Sequence, residues 1–488
     1  MFLGIDVGSQ SLKAVLLDDA LHFVGRGARS YPIAFPQPGW AEQHPALWEA
    51  ALAPATAEAL AAAGCSPTDV TAVGIAGQLD GSVPADEAGR ALGPCLIWMD
   101  RRADATLTPI RKNCPPEAFR RRTGANLDGS HMAPKMRWQL DHWPAARAAA
   151  RFHQPVTYLV ERLTGAAVMD HGLASTTLAY DLQAADFADD LLGLFGLERR
   201  LLPRLAPSET VAGRLTAAGA ELIGLPAGLP VAVGTGDDFS TPLGGGVAAP
   251  GTVANVLGTA EVVGALDPRP LIDEGGLVET HRFVGSQLHY IENPGWLSGG
   301  ALEWLRSLLK LPDFAAFDAA AAAAPPGCEG LLFLPALTGA MTPEWNAAAR
   351  GCFYGLTPAH GVAHLARAAL EGTAFGLRDV AERLRDTGVR TERIRVLGGG
   401  ARSRIWAQIR ADVTSLPVER SAIADASAVG AALLAAVASG GQPDLATAAR
   451  QVGAVAETLQ PQPEARSAYD AAYARYRRLF SSLTPMFA

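Results

Sequence analysis

Phe2-Leu3-Gly4-Ile5-Asp6-Val7-Gly8-Ser9-Gln10-Ser11-Leu12-Lys13-Ala14-Val15-Leu16-Leu17 sets an acid, a glycine turn, two hydroxyls and a lysine between two apolar runs. Strand-forming residues on both sides of Gly8-Ser9 predict a β-hairpin with strands over residues 2–7 and 11–18. In that geometry backbone N–H groups and the Ser9 and Ser11 hydroxyls can face an anion, with Asp6 at the strand end. A plain N-terminal hairpin fits the same residues, because glycine turns with Ser and Asp are common punctuation.

Working outward, a third strand is predicted over 22–31, a helix from about Pro45 and a strand over 70–75, giving a ββ-β-α-β pattern. The middle reads as more helical, with segments over 116–122, 134–141, 145–151 and 156–163. After Gly244-Gly245-Gly246 the chain starts over. Strands over 252–257, 261–266 and 287–292 surround a Gly258-Thr259 turn, and a helix over 299–309 follows. A strand over 394–397, Gly398-Gly399-Gly400, and helices over 403–414 and 427–439 complete this second half. Two similar mixed halves, 1–246 and 247–488, predict an α/β fold with an interlobe cleft where ligands bind.

Bulk properties narrow the partners. A chain of 488 residues exceeds one ordinary core, and 49% hydrophobic with 18% charged residues is a globular composition. The formal net charge of −8, without basic clusters, argues against a nucleic-acid partner. The start lacks a signal-peptide pattern, and the most apolar late run, 426–438, is too short to span a membrane, so a cytoplasmic protein with no membrane partner is expected. The 5 cysteines are scattered without metal-ligand spacing, and the 10 histidines show no zinc-protease pattern, so a protein-ligated transition metal is not expected.

Chemistry concentrates at the ends of predicted strands. Gly234-Thr235-Gly236-Asp237-Asp238 follows the apolar run 231–233 and places carboxylates at a strand end. One of them can accept the proton of a hydroxyl nucleophile during phosphoryl transfer, and a helix N-cap pair is the equally good structural alternative. Gln78-Leu79-Asp80-Gly81 and Trp98-Met99-Asp100-Arg101-Arg102 end other apolar runs. Together they offer an amide, carboxylates and an aromatic face, which suits a polyol, whereas core packing of Trp98 and an Asp100–Arg101 ion pair are the plain readings. Gly398-Gly399-Gly400-Ala401-Arg402-Ser403 forms a close-approach turn into a helix, able to admit a flat base or a phosphate. No Gly-x4-Gly-Lys-Ser/Thr run is present, so a P-loop is not supported. Mg²⁺ commonly arrives with its nucleotide and needs few carboxylates, for which Asp6 and Asp237 are the candidates.

Taken in order, these residues resemble the FGGY carbohydrate kinase family, and within it the xylulokinase-like branch, over nearly the whole chain. Asp6 to Lys13 looks like its first phosphate motif, Gly39-Trp40-Ala41-Glu42-Gln43 like its Gly-Trp-x-Glu-Gln/His segment, Gly258-Thr259 like its second phosphate turn and Gly398 to Ser403 like its adenosine motif. The resemblance implies a two-lobed actin-like ATPase fold of duplicated RNase H-like domains, ATP with Mg²⁺, and phosphorylation of a sugar or polyol. It implies Asp237 as general base, Asp6 and Asp237 near the metal, and Gln78, Leu79, Asp80, Trp98, Asp100, Asp237 and Asp238 at the sugar. The cofactor-binding residues are then Gly8, Ser9, Ser11, Lys13, Gly258, Thr259, Gly299, Gly399, Gly400, Ala401 and Ser403. A homodimer is left open. Two departures bear on the substrate. Gln78-Leu79-Asp80-Gly81 stands where xylulokinases typically have Gln-Met-His-Gly, and Gly339-Ala340-Met341-Thr342-Pro343 where Gly-Glu-Arg-Thr-Pro is usual. Ribulose, erythritol and glycerol therefore stand beside xylulose as acceptors, and a non-catalytic ATP-binding protein of the actin-like fold is the alternative from another class.

Overall fold

The opening hairpin forms where its apolar runs predict it. In the computed structural model, which describes residues 1–285 and 287–487, β1 (Phe2–Val7) and β2 (Ser11–Leu17) are antiparallel, with Gly8 N–H donating to the Ser11 carbonyl at 3.1 Å. β3 (Phe23–Ser30) extends the meander, and α1 (Ala46–Ala63) leads to β4 (Ala72–Gly77), which lies parallel to β1. A central helix, α2 (Met132–His142), precedes β5 (Val211–Arg214), β6 (Pro230–Ala232) and β7 (Thr235–Gly236). The first sheet runs β5-β6-β4-β1-β2-β3, with β7 on the end of β4. Strands β1 and β4 are buried along their whole length, which explains their unbroken apolar runs.

The second half repeats this order. After α3 (Asp237–Gly244) come β8 (Gly251–Leu257), β9 (Ala260–Asp267), β10 (Glu279–Arg282) and β11 (His289–Leu297). Then follow α4 (Gly299–Leu308), α5 (Val362–Asp386), β12 (Thr391–Leu397), α6 (Arg404–Thr414), β13 (Val418–Ser421), α7 (Ala426–Ala438) and β14 (Val455–Leu459). The second sheet is β10-β11-β9-β8-β12-β13-β14. β8 and β9 form the antiparallel hairpin, β12 runs parallel to β8, and the last pair is antiparallel, as in the first sheet. The extra strand β10 forms the outer edge beside β11.

Helices α3 and α7 occupy equivalent places, each following the strand that flanks the second parallel strand of its sheet, and pack against each other between the halves. A Cβ on Gly244 would lie 2.0 Å from the Ala426 carbonyl oxygen, and one on Gly430 would lie 2.1 Å from that of Ser240. The small residues of α7 let its backbone press on the first sheet as well, where a Cβ on Gly4 would meet the Ala428 oxygen at 1.9 Å. Gly430→Ala is expected to force the helices apart and cost about 1–3 kcal/mol, a typical overpacking penalty. A fall in the urea midpoint measures it, and an unchanged midpoint contradicts this packing.

One predicted element is corrected. Residues 145–151 were expected as a helix, but a 3-10 turn covers Pro144–Ala148 and a strand, Arg151–His153, pairs with Val83–Ala85. Strand pairing and burial of Phe152 and His153 override the helix propensity of the alanines. Among the described residues no helix is long and apolar enough to cross a membrane.

Candidate active site

The pairing of β7 with β4, Gly236 opposite Gly77, brings the start of α3 to the end of the first sheet. Asp237 and Asp238 form its first turn. Thr235 is fixed just before them by donating its hydroxyl to Asp170 at 2.8 Å, and Asp170 also accepts from the Gly172 and Leu173 N–H groups. Burial pushes the Asp170 carboxyl up to about 7. Asp237 is only partly exposed and deep in the molecule; burial first, then Asp238 and Asp6, push its carboxyl well above the usual carboxylate range. Burial and Asp80 push Asp238 up to about 7, against His281.

Asp6, at the end of β1, is buried, and burial raises its pKa against the opposing pull of Lys13 and Ser427. Its Oδ1 has no hydrogen-bond partner among the described residues. Lys13 lies between two carboxylates, 3.7 Å from Asp6 and 3.3 Å from Asp425 at the head of α7. Arg26 also reaches Asp425, at 2.6 Å, so one acid of the second half takes two cations of the first.

Ser9 belongs to the other side of the hairpin turn. Its hydroxyl accepts from Trp98 Nε1 at 2.9 Å and donates to Gln78 Oε1 at 3.4 Å, and Gln78 Nε2 donates to Gln43 Oε1 at 2.8 Å. Gln43, from the Gly-Trp-x-Glu-Gln segment, thus links the turn to the residues read as sugar-binding. Leu79 is half-buried, and Asp80 adopts a left-handed backbone with φ 60°. Gln154 accepts from the Asp80 N–H at 2.8 Å and Lys135 Nζ donates to its carbonyl at 2.8 Å, which holds this strained residue in place.

The Asp80 carboxylate meets His131 Nδ1 at 3.3 Å. Burial opposes charge on His131, but Asp80 and Glu279 prevail and lift the imidazole to about 9; burial lowers Lys135 to about 8. Glu279, on β10, accepts from the Asn126 N–H at 2.7 Å and stands 3.5 Å from His281 Nε2.

Asp100 is not brought to this group. Its carboxylate is fully buried and accepts from the N–H groups of Ala41 at 2.7 Å and Arg102 at 3.0 Å and from Arg102 Nε at 2.9 Å. The Arg102 guanidinium lies 3.7 Å from the Trp40 ring centre, so Asp100 anchors the Gly39–Gln43 segment to Arg102 and does not face a ligand. Trp98 itself is 43% exposed, enough to present a ring face to a ligand.

In the second half, Gly258 and Thr259 are exposed on the β8–β9 turn. The Thr259 carbonyl accepts from Ser298 at 3.2 Å and Gly300 at 3.0 Å, seating the turn on the start of α4. A Cβ on Gly299 would lie 2.2 Å from the Gly258 oxygen, so only glycine permits the contact. Gly398 and Gly400 press on Leu257 at the base of the same turn, while Gly399 faces open space. Ala401 is buried, and the Ser403 hydroxyl caps α6 by accepting from the Trp406 N–H at 3.2 Å. The Gly339–Pro343 stretch lies beside β11, where the Met341 carbonyl accepts from Asn293 Nδ2 at 2.9 Å.

Residues 1–244 match the model of the FGGY family of carbohydrate kinases, N-terminal domain, and residues 253–439 match that of its C-terminal domain. The chain belongs to the FGGY family of carbohydrate kinases. A glycerol kinase of Aromatoleum aromaticum is 35% identical over 89% of each chain, and a xylulose kinase of Escherichia coli is 31% identical over all of both chains. The crystal structure of a xylulose kinase from Rhodospirillum rubrum superposes with a TM-score of 0.90 at 32% identity, covering 100% of this chain and 99% of that one. The two sheets, with their repeated strand order, are therefore the actin-like ATPase fold of FGGY kinases.

His131, Lys135, Glu279, His281, Tyr290 and Glu292 were not singled out from the sequence. They come from a loop and helix of the first half and from the last two strands on one side of the second sheet, β10 and β11, and only tertiary packing brings them to Asp80 and Asp238.

Proposed function

We propose that this FGGY kinase is a cytoplasmic enzyme that transfers the γ-phosphoryl group of ATP to a hydroxyl of a small neutral ketose or polyol, with a pentulose such as xylulose preferred. The observation that carries the reading is the register of β1, β4 and β7, with Gly77 opposite both Val7 and Gly236, which brings Asp6, the start of the Gln78-Leu79-Asp80 stretch and Asp237 to one end of the first sheet. Asp237 accepts the hydroxyl proton as the phosphoryl group transfers. The hairpin turns at Gly8 and Gly258 hold the phosphates, and the glycines at 398–400 take the base. The unpartnered Asp6 Oδ1 and the carboxyl of Asp237 suit the hydration shell of Mg²⁺, which supplies charge neutralisation at the transferring group when bound. Lobe closure aligns the reactants and excludes water. In this reading residues 1–246 bind the sugar and 247–488 the nucleotide.

The acceptor is neutral because Asp80, Asp237, Asp238, Glu279 and Glu292 crowd its surroundings and repel a sugar acid or sugar phosphate. Full-length similarity to xylulose kinases supports a pentulose. The carboxylate of Asp80 in place of an imidazole, together with similarity to glycerol kinases, favours glycerol or erythritol as the second reading. A panel of D-xylulose, D-ribulose, erythritol, glycerol and D-gluconate assayed for ADP release tests both. D-xylulose is expected to give the highest kcat/KM and gluconate no turnover; preferential turnover of gluconate contradicts the neutral-acceptor reading.

A further inference from the structure

Strands β10 and β11 pair Glu279 with Glu292 and His281 with Tyr290, which places two carboxyls directly opposite each other on one face of a buried edge. Like charges in that register destabilise a sheet, and a buried polar atom without a partner costs more. Glu279 is accounted for by Asn126 and the two histidines. Glu292 is not. It is 2% exposed, and neither its Oε2 nor the Tyr290 hydroxyl beside it has a hydrogen-bond partner among the described residues.

The fold makes room for this pair. A Cβ on Gly264 of β9 would stand 2.7 Å from Glu292 Cβ and 2.4 Å from Tyr290 Cζ, so the neighbouring strand gives up a side chain beside them. Glu292 stands opposite Glu279 in the register, and Glu279 lies 3.9 Å from His131 Nε2, whose Nδ1 meets the Asp80 carboxylate at 3.3 Å, so the pair sits on the side of the sheet next to the acceptor residues of the first half.

We propose that Glu292 is a specificity-determining residue of the acceptor site: its free carboxyl oxygen takes a hydrogen bond from an acceptor hydroxyl other than the reacting one as the halves close. This rests on the polyol kinase reading above. The acceptor then satisfies an oxygen that the protein leaves orphaned, and only an acceptor with a hydroxyl at that place draws the second half onto the first.

The test is a cycle of variants against deoxy analogues of the best acceptor in the panel. Glu292→Ala is expected to raise the acceptor KM at least tenfold with the ATP KM within twofold of wild type, and Glu292→Gln, which keeps an acceptor oxygen, to recover part of it. One deoxy analogue should lose at least tenfold in kcat/KM with wild type and less than threefold with Glu292→Ala. Equal losses in both proteins, or an unchanged acceptor KM, overturn the assignment. If Glu292→Ala does not fold, the same comparison with Glu292→Met, which fills the volume without an acceptor oxygen, decides, with an undiminished wild-type deoxy penalty overturning it. If wild type phosphorylates no ketose or polyol, the kinase reading fails and this inference falls with it; if wild type is active and the variants match it, only the inference fails.

Discussion

Asp237→Asn is expected to lower acceptor-dependent kcat by about 10²–10⁴-fold, the range of a lost general base, while ATP affinity changes little. The amide keeps the size of the side chain and the start of α3, so the loss reports on proton acceptance rather than on packing. The charge argument supplies a control. Asp237 has a higher pKa folded than unfolded, because of burial and of Asp238 and Asp6. A group of that kind costs folding stability above its unfolded pKa, in full once the pH exceeds the folded value. Removing the charge therefore leaves stability at pH 8 equal or higher, and thermal unfolding should show a midpoint no lower than wild type. The same raised pKa sets the sign of the pH dependence. The base works ionised, so kcat/KM for the acceptor falls as pH drops through the Asp237 pKa, and this acid limb disappears from the residual activity of Asp237→Asn.

Arg410→Met is expected to destabilise the protein by about 3–5 kcal/mol, the usual result of removing one member of a buried ion pair. Arg410 is fully buried on α6, with Nη2 on Glu261 Oε2 at 2.8 Å and Nη1 on Asn255 Oδ1 at 3.0 Å. Asn255 Nδ2 also donates to Glu261 at 3.0 Å, so the triad ties both strands of the second hairpin to the helix behind it. Methionine leaves the Glu261 carboxylate uncompensated beneath the Gly258-Thr259 turn. A drop in the urea midpoint and a weaker ATP interaction follow, and Arg410→Met with Glu261→Gln should recover much of the stability. A single variant as stable as wild type contradicts this account of the brace.

Much of this architecture was legible because it is local. The two hairpins announce themselves by apolar runs around glycine turns, and their recurrence near residue 250 pointed to two halves before any contact was known. The strand end at Asp237 was readable for the same reason. Asp100 was not, because whether its carboxylate faces a ligand or turns inward to Arg102 depends on the N–H of Ala41, 59 positions away in sequence. Ser9 and Lys13 lie on the expected hairpin, yet Ser9 engages Trp98 and Lys13 is shared with Asp425, partners that no spacing rule reveals. Glu279 and Glu292 left no signal either, since a glutamate in a strand usually turns to water and here both are buried, Glu279 against Asn126 of the first half. The run at 145–151 misled because alanine propensity is a weak prior against strand pairing.

The central claim is that a neutral hydroxyl acceptor draws phosphoryl transfer from ATP through Asp237. Acceptor-dependent ADP release, measured for wild type and Asp237→Asn with D-xylulose, glycerol and no acceptor, tests it most directly. The account predicts that one of the two acceptors raises ADP release at least a hundredfold over the acceptor-free rate, and that Asp237→Asn removes the increase. ADP release that is the same with and without acceptor, or an increase that survives in Asp237→Asn, would contradict it.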